Sequence, residues 1–82
     1  MRGKTKKVLE YLKSNGSITS LEAYDLFRAT RLSAIIFNLR KYGYEIISKP
    51  ETYTNEDGIT SYYVRYVYEG EILNQWILKN IF

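Results

Sequence analysis

Residues 18–47 read ITSLEAYDLFRATRLSAIIFNLRKYGYEII, and this stretch decides the fold. Thr19 and Glu22 have the spacing of a capping box, in which the hydroxyl accepts from the Glu22 amide and the carboxylate reaches back to the cap. A short helix is therefore predicted to begin here and to run to about Phe27. Its apolar face is expected to consist of Leu21 and Tyr24, with Phe27 or Leu26.

A second helix is predicted after a three-residue connection, Arg28-Ala29-Thr30. The Thr30 side chain is expected to cap this helix. Tyr42-Gly43 is predicted to end it, because glycine tolerates the conformation that closes a helix. Its apolar positions recur at the i, i+3, i+4, i+7 spacing of one helix face and are Leu32, Ile35, Ile36 and Leu39. Two helices joined this tightly predict a helix-turn-helix unit.

A further helix is predicted upstream, from Thr5 to Asn15, followed by a short extended link at Ser17-Ile18. Asn15-Gly16 should end that helix, since glycine readily adopts a left-handed backbone. Its buried face is expected to consist of Val8, Leu9 and Leu12.

A β-hairpin, the wing of the predicted fold, is expected over residues 44–68. Tyr44 to Ser48 and Ile59 to Tyr68 are rich in Tyr, Ile and Val, which suit strands. Between them Asn55-Glu56-Asp57-Gly58 supplies a turn. Pro50 belongs on an edge or in the loop, because it has no N–H for a ladder.

A last helix is predicted from Gly70 to Phe82. Its apolar stripe should pack on the domain and consists of Ile72, Leu73, Trp76 and Ile77. Leu78 and Phe82 point elsewhere and are expected to meet a second copy across a twofold axis. The chain is thus expected to form one α+β domain over residues 1–82 and to act as a homodimer.

The composition excludes several classes of function. At 45% hydrophobic and 26% charged residues the chain suits a folded domain, and no apolar run approaches the ~20 residues of a membrane span. A cytoplasmic location is expected. Cysteine and histidine are both absent, which removes thiol chemistry, the usual zinc ligands and histidine-based nucleophile pairs. With no Gly-rich phosphate loop either, we expect no enzyme, cofactor, metal or small-molecule substrate.

Positive charge is concentrated in two segments of a chain whose net charge is +3. The first fifteen residues carry five basic side chains against Glu10, and Arg28 to Lys41 carries four basic and no acidic ones. Such clusters favour an anionic partner.

The stretch ITSLEAYDLF followed by TRLSAIIFNLRKYGYEI resembles the small winged helix-turn-helix domains of bacteriophages and prophages. The similarity covers Ile18 to Ile47 and extends more loosely to Tyr62 to Tyr68. It implies a winged helix-turn-helix of the α+β class, with a three-helix core and a hairpin wing. It also implies a transcriptional regulator that binds double-stranded DNA through its third helix.

Turning that helix at 100° per residue identifies the side chains expected to contact DNA. Asn38 suits adenine, Arg31 suits guanine or phosphate, and Phe37 or Ala34 suits a thymine methyl. The residues expected to face the major groove are Thr30, Arg31, Ser33, Ala34, Phe37, Asn38 and Lys41. Those expected to meet phosphates are Lys4, Lys6, Lys7, Lys13, Arg28, Arg40 and Lys41.

Protein binding is the alternative to DNA binding. The hairpin tip is acidic, with Glu51, Glu56 and Asp57 against Lys49, and the third helix carries an outward Phe37. Both features favour a protein-binding module that presents Phe37 and Ala34 to a host protein, as anti-CRISPR-like phage inhibitors do.

The nine tyrosines allow two interpretations, packing within the sheet or stacking on nucleic-acid bases. Tyr62, Tyr66 and Tyr68 share one strand face, where cross-strand packing is expected. A stacking platform for single-stranded nucleic acid is disfavoured because Arg65 is the strand's only cation.

Overall fold

The computed structural model describes residues 3–71, which form three helices and a three-stranded antiparallel sheet. The predicted α+β class is confirmed. In chain order the elements are α1 (Gly3–Asn15), β1 (Ser17–Thr19), α2 (Ser20–Phe27), α3 (Leu32–Lys41), β2 (Tyr44–Thr54) and β3 (Thr60–Glu71).

One hydrophobic core joins the three helices to the inner half of the sheet. Leu12, Ile36 and Leu39 are buried from α1 and α3, and Ile18 and Ile46 close the core from β1 and β2. Burying an aliphatic side chain of this size contributes on the order of 1.5–3 kcal/mol. The periodic positions predicted for the first and third helices therefore do face the core, with Ile35 half-buried at its margin.

The predicted capping box of α2 is confirmed, but of its predicted buried face only Phe27 packs against the core. The Thr19 amide donates to Glu22 Oε1 at 2.9 Å, and the Glu22 amide donates to Thr19 Oγ1 at 3.2 Å. Leu21, however, is 70% exposed, and Ala23 lies fully buried in its place. A methyl group at the contact lets α2 approach the core closely, so its larger Leu21, Tyr24 and Leu26 side chains are turned outward.

The segment predicted as a short extended link is the strand β1. Ser17–Thr19 pairs antiparallel with Arg65–Val67, which gives the strand order β1-β3-β2. Gly16, at φ 89°, lets the chain leave α1 directly into this strand. Ile18 is thereby buried in the sheet rather than carried in a loop.

The hairpin is longer than predicted on both sides. β2 continues through Pro50 to Thr54, on an edge of the sheet as predicted for that proline. The turn is the expected one: Asn55 Oδ1 accepts from the amides of Asp57 and Ile59, both at 3.0 Å, and Gly58 has φ 80°.

The predicted start of a last helix at Gly70 is wrong. Gly70 and Glu71 belong to β3, where Gly70 pairs with Glu45 and Glu71 with Tyr44. A register shift at Glu45/Ile46 lets the ladder continue past Tyr68. The other residues assigned to that helix lie outside the described residues, among them Ile72, Leu73, Trp76, Ile77, Leu78 and Phe82.

Candidate nucleic-acid interface

The helix α3 presents one face to the core and the opposite face to solvent. The inner face packs into the core through Leu32, Ile36 and Leu39, each of which is at most 2% exposed. All the residues predicted to face the major groove are exposed: Thr30, Arg31, Ser33, Ala34, Phe37, Asn38 and Lys41. An amide, a hydroxyl, a methyl and an aromatic ring thus lie on one accessible helical surface.

The turn before α3 orients this surface. Arg28 has a left-handed backbone, with φ 55° and ψ 31°, and its amide donates to Tyr24 O at 2.8 Å. Ala29 is 2% exposed and pins the turn to the core. The predicted cap at Thr30 is wrong, because the N-cap is Arg31 and no side chain caps the helix. The chain leaves Arg31 at φ −129° and ψ 59°, which starts α3 one residue later than a Thr30 cap would allow.

The turn and the start of α1 come together through a basic side chain. Lys4 Nζ donates to the Arg28 carbonyl at 2.9 Å, which joins the two basic segments identified in the sequence. Lys6 and Lys7 are exposed on the same helix, and the Arg28 side chain is exposed beside the turn. Of the phosphate contacts predicted on α1, Lys4 is therefore a neighbour of the turn.

Phe37 and Lys41 form a pair on the outer face of α3. The Phe37 side chain is 58% exposed, and Lys41 Nζ lies 4.6 Å from the ring centroid. Such a cation–π contact at an exposed site contributes ~0.5–1 kcal/mol. It holds the ammonium group over the ring, so that an apolar surface and a positive charge are offered together.

Arg40, which was predicted to meet a phosphate, makes a contact within the chain. Its Nε and Nη2 both donate to Ile46 O, at 3.0 and 2.6 Å, and Nη2 also donates to Ser48 Oγ at 3.0 Å. The side chain therefore ties the end of α3 to β2. No sequence pattern pointed to this role, because it depends on how closely the strand passes the helix.

The wing carries a half-buried ion-pair cluster that the sequence pattern did not predict. Arg65 Nε lies 2.9 Å from Glu51 Oε1, and Arg65 Nη1 lies 3.3 Å from Glu22 Oε1. Hydrogen bonds from Arg65 and then from Tyr63 hold the pKa of the Glu51 carboxyl below its ordinary value. The charge of the Glu51 carboxylate is thus offset by Arg65. The acidity of the wing tip comes from Glu56 and Asp57. Strand alternation was the available signal, since Arg65 and Glu51 share one hairpin face.

The tyrosines of β3 divide between packing and exposure. Tyr66 and Tyr68 pack against the core, as expected for cross-strand packing, and burial raises the pKa of the Tyr68 phenol. Tyr62, on the same strand face, is 82% exposed.

Two other features are absent from residues 3–71. Within this range no three His, Cys, Asp or Glu side chains are grouped so as to hold a metal ion. None of the helices described there has the length and apolar character needed to cross a membrane.

Comparison with the models of known protein families yields a match. Residues 3–69 match the family model described as winged helix-turn-helix domain. No curated protein and no solved structure matches the chain. The family match covers all three helices, β1, β2 and most of β3.

Proposed function

The chain belongs to the winged helix-turn-helix domain family, with residues 3–69 matched, and from this we propose that it binds double-stranded DNA sequence-specifically through α3 in the major groove. The observation that carries the proposal is the outward face of α3. Each predicted residue of this face is exposed, basic residues flank it, and it offers groups of the kind that read base edges.

The residues that would contact the bases lie in the middle of that face. Asn38 carries the donor and acceptor pair that fits adenine, and Ser33 can donate or accept. Ala34 and Phe37 offer apolar contact to a thymine methyl. Each well-placed bidentate contact contributes about 1–3 kcal/mol of discrimination between bases.

Phosphate contacts supply the rest of the affinity. Lys4 and Arg28 lie together at the turn, and Lys41 lies at the far end of α3. Lys6 and Lys7 extend the positive surface along α1. Such contacts position a protein on the duplex without reading its sequence.

The test is a selection of bound duplexes from a random pool, followed by titration of the winner at several salt concentrations. Asn38→Ala is expected to relax the preference at one base pair while the slope of log K against log salt stays unchanged. Lys7→Ala is expected to reduce that slope by about 1, because one counterion fewer is released. Lys49→Ala on β2 is the charge-matched control. Undetectable binding at low salt would refute the proposal.

We further propose the biological setting: a phage-type transcriptional regulator that acts as a homodimer in the cytoplasm, by binding rather than by catalysis. Dimers read two half-sites about one helical turn apart, so the selected site should be palindromic. A single half-site with no symmetry would argue for a monomer.

A second candidate function rests on the exposed Phe37 ring. A ring 58% exposed beside Ala34 suits a pocket on a host protein as well as it suits a thymine methyl. A stoichiometric partner captured from host lysate, and lost on Phe37→Asp but retained on Asn38→Ala, would support this function. Phe37→Leu, which keeps an apolar surface, is the matched variant.

A further inference from the structure

The wing changes from three strands to two at Arg65. β1 ends at Thr19, and Thr19 pairs with Arg65. Beyond this level, within the described residues 3–71, β2 and β3 pair only with each other, and we call this part of the hairpin, residues 50–64, the distal wing. A two-stranded ribbon is more strongly twisted than a wide sheet and is only marginally stable alone. The direction of the distal wing therefore depends on what holds its base.

Packing against the helices holds this base from one face of the sheet. Tyr66, the next residue along β3, packs against the core. Successive side chains of a strand lie on opposite faces, so Arg65 lies on the other face. Between the start of α2 and the distal wing lies an open groove of about 770 Å³, and the side chains of Leu21 and Tyr62 that line it are 70% and 82% exposed. These two side chains are too exposed to join α2 to the distal wing by packing.

The Arg65 guanidinium joins the elements on the two sides of this groove. Its Nε donates to Glu51 Oε1 on β2 at 2.9 Å, and its Nη1 donates to Glu22 Oε1 on α2 at 3.3 Å. Nη1 also donates to Ser17 Oγ on β1 at 3.3 Å. We call this set of contacts the Arg65 bridge. A planar guanidinium presents its donors in fixed directions, so the bridge restricts angles as well as distances.

Glu22 gives the Arg65 bridge a fixed end on the helix-turn-helix. Its Oε1 atom also accepts from the Thr19 amide at 2.9 Å, as part of the capping box that starts α2. The side chains of Glu22, Glu51 and Arg65 are between 28% and 38% exposed, so water screens the bridge only in part. The bridge therefore connects the wing to the first turn of α2 rather than to a freely rotating surface side chain.

We propose that Arg65 is a positioning residue, which fixes the angle between the distal wing and the helix-turn-helix by joining Glu51 to Glu22. From Arg65 to Thr60 the ribbon is about 17 Å long, so a swing of about 10° at its base moves the tip by about 3 Å. The inference rests on the proposed function in one respect: a fixed wing holds the charges of its tip at a fixed place relative to DNA bound by α3.

The charge of the tip gives this placement a consequence for DNA binding. Residues 51–64 include three acidic residues and no basic one, and Glu56 and Asp57 lie at the turn. Carboxylates and phosphates repel each other. A tip released from its fixed position can move away from the phosphates, so the repulsion falls when the Arg65 bridge is removed.

The angle can be measured without DNA, because the sequence contains no cysteine and two spin labels can be attached to introduced ones. Asp25→Cys on α2 and Ile59→Cys near the tip are at exposed positions. The distance between the labels is expected to have a narrow distribution, which Arg65→Gln should broaden or shift by about 3 Å or more. Lys49→Gln is the matched control, since Lys49 pairs with Arg65 across the hairpin and its replacement removes the same charge. Equal distributions for Arg65→Gln and Lys49→Gln overturn the proposal.

A second variant keeps the test decisive if Arg65→Gln does not fold, which circular dichroism shows. Glu22→Gln retains an acceptor for the Thr19 amide, because glutamine also completes a capping box, but it removes the charge that faces Arg65. It is expected to change the label distances in the same direction as Arg65→Gln, by a smaller amount. An unchanged distribution in a folded Glu22→Gln chain, where Arg65→Gln is unfolded, also overturns the proposal.

The consequence for DNA is tested by combining the bridge with the charges of the tip. Dissociation constants for duplex DNA are compared between Arg65→Gln and Lys49→Gln, each with the natural tip and with the neutral tip Glu56→Gln/Asp57→Asn. With the natural tip, Arg65→Gln should bind at least about twofold more tightly than Lys49→Gln, and with the neutral tip the two should bind equally. The same ratio of the two constants for both tips would contradict a fixed placement of the tip. If no variant binds duplex DNA, the proposed function fails, and the label distances still decide the role of Arg65.

Discussion

Arg28 is the single residue other than glycine with a positive φ in the part of the chain that the structure describes. A left-handed backbone costs about 1–2 kcal/mol for a residue with a Cβ. The same residue contacts two others, since its carbonyl accepts from Lys4 and its guanidinium lies 5.2 Å from the centroid of the Tyr24 ring. A glycine would relax the turn but would lose the contact with the Tyr24 ring.

The strain at Arg28 leads to a stability prediction. Urea denaturation is expected to give Arg28→Gly a free energy of unfolding about 1 kcal/mol higher than that of Arg28→Ala. The reason is that glycine adopts the left-handed region without the Cβ penalty. Both variants lose the charge, so both should bind duplex DNA more weakly. A glycine variant no more stable than the alanine variant would contradict the strain.

Glu51 gives a prediction of pH dependence. Its pKa is lowered in the folded chain, so its ion pair contributes stability above the ordinary value of 4.5 and loses that contribution as the pH falls through the folded pKa. Wild type is therefore expected to exceed Glu51→Gln in melting temperature at neutral pH, and the gap should close in acid. Glu56→Gln at the hairpin tip is the control, and a gap that persisted in acid would show that the ion pair is not its source.

At the scale of elements, the sequence predicts those that are defined by local signals. The Thr19–Glu22 capping box and the spacing of Leu32, Ile36 and Leu39 depend on nearest neighbours along the chain, and both are confirmed. Strand β1 could not be predicted, because three residues become a strand only when β3 lies beside them. The buried face of α2 failed for a related reason: side-chain size favoured Leu21, whereas close packing of the helix favoured Ala23.

The contact between α3 and β2 yields a prediction about Arg40. Arg40→Ala is expected to lower the free energy of unfolding by about 1–2 kcal/mol, because the Ile46 carbonyl loses its two side-chain donors. Arg40→Lys keeps the charge but not the guanidinium fork, so it should lose part of this stability while retaining the salt dependence of DNA binding. Urea denaturation and a salt titration of both variants separate the two roles. Full stability in Arg40→Ala would show that the contact does not anchor the helix.

On the scale of the whole molecule, the core occupies the helices and the inner half of the sheet. Exposure of the α3 face could be predicted from the helical period alone. The tertiary contacts of Lys4, Arg40 and Arg65 could not, because each partner is distant in the sequence or lies on another element. A basic residue is recognisable in a sequence, but its availability to a phosphate depends on the fold.

This division between core and surface gives a prediction about replacing leucine side chains with alanine. Leu39→Ala is expected to cost about 2–5 kcal/mol, which is a large fraction of the stability of so small a domain. Leu26→Ala, on the exposed face of α2, is expected to change stability by less than about 0.5 kcal/mol. Thermal unfolding of the two variants tests the assignment, and similar losses would mean that Leu26 is covered as well.

The pairing of β1 with β3 also constrains how the chain folds. Ser17 and Arg65 meet across a separation of 48 residues, so the sheet closes a loop that contains the entire helix-turn-helix. Closing so long a loop has an entropic cost before any contact rewards it, which favours slow and cooperative folding. The three-helix unit is then not an autonomous module to which a hairpin was added. A cut in β3 would free β1, expose Ile18 and loosen the helices that pack on it, so protection of the exposed α3 face from proteases depends on residues 65–67.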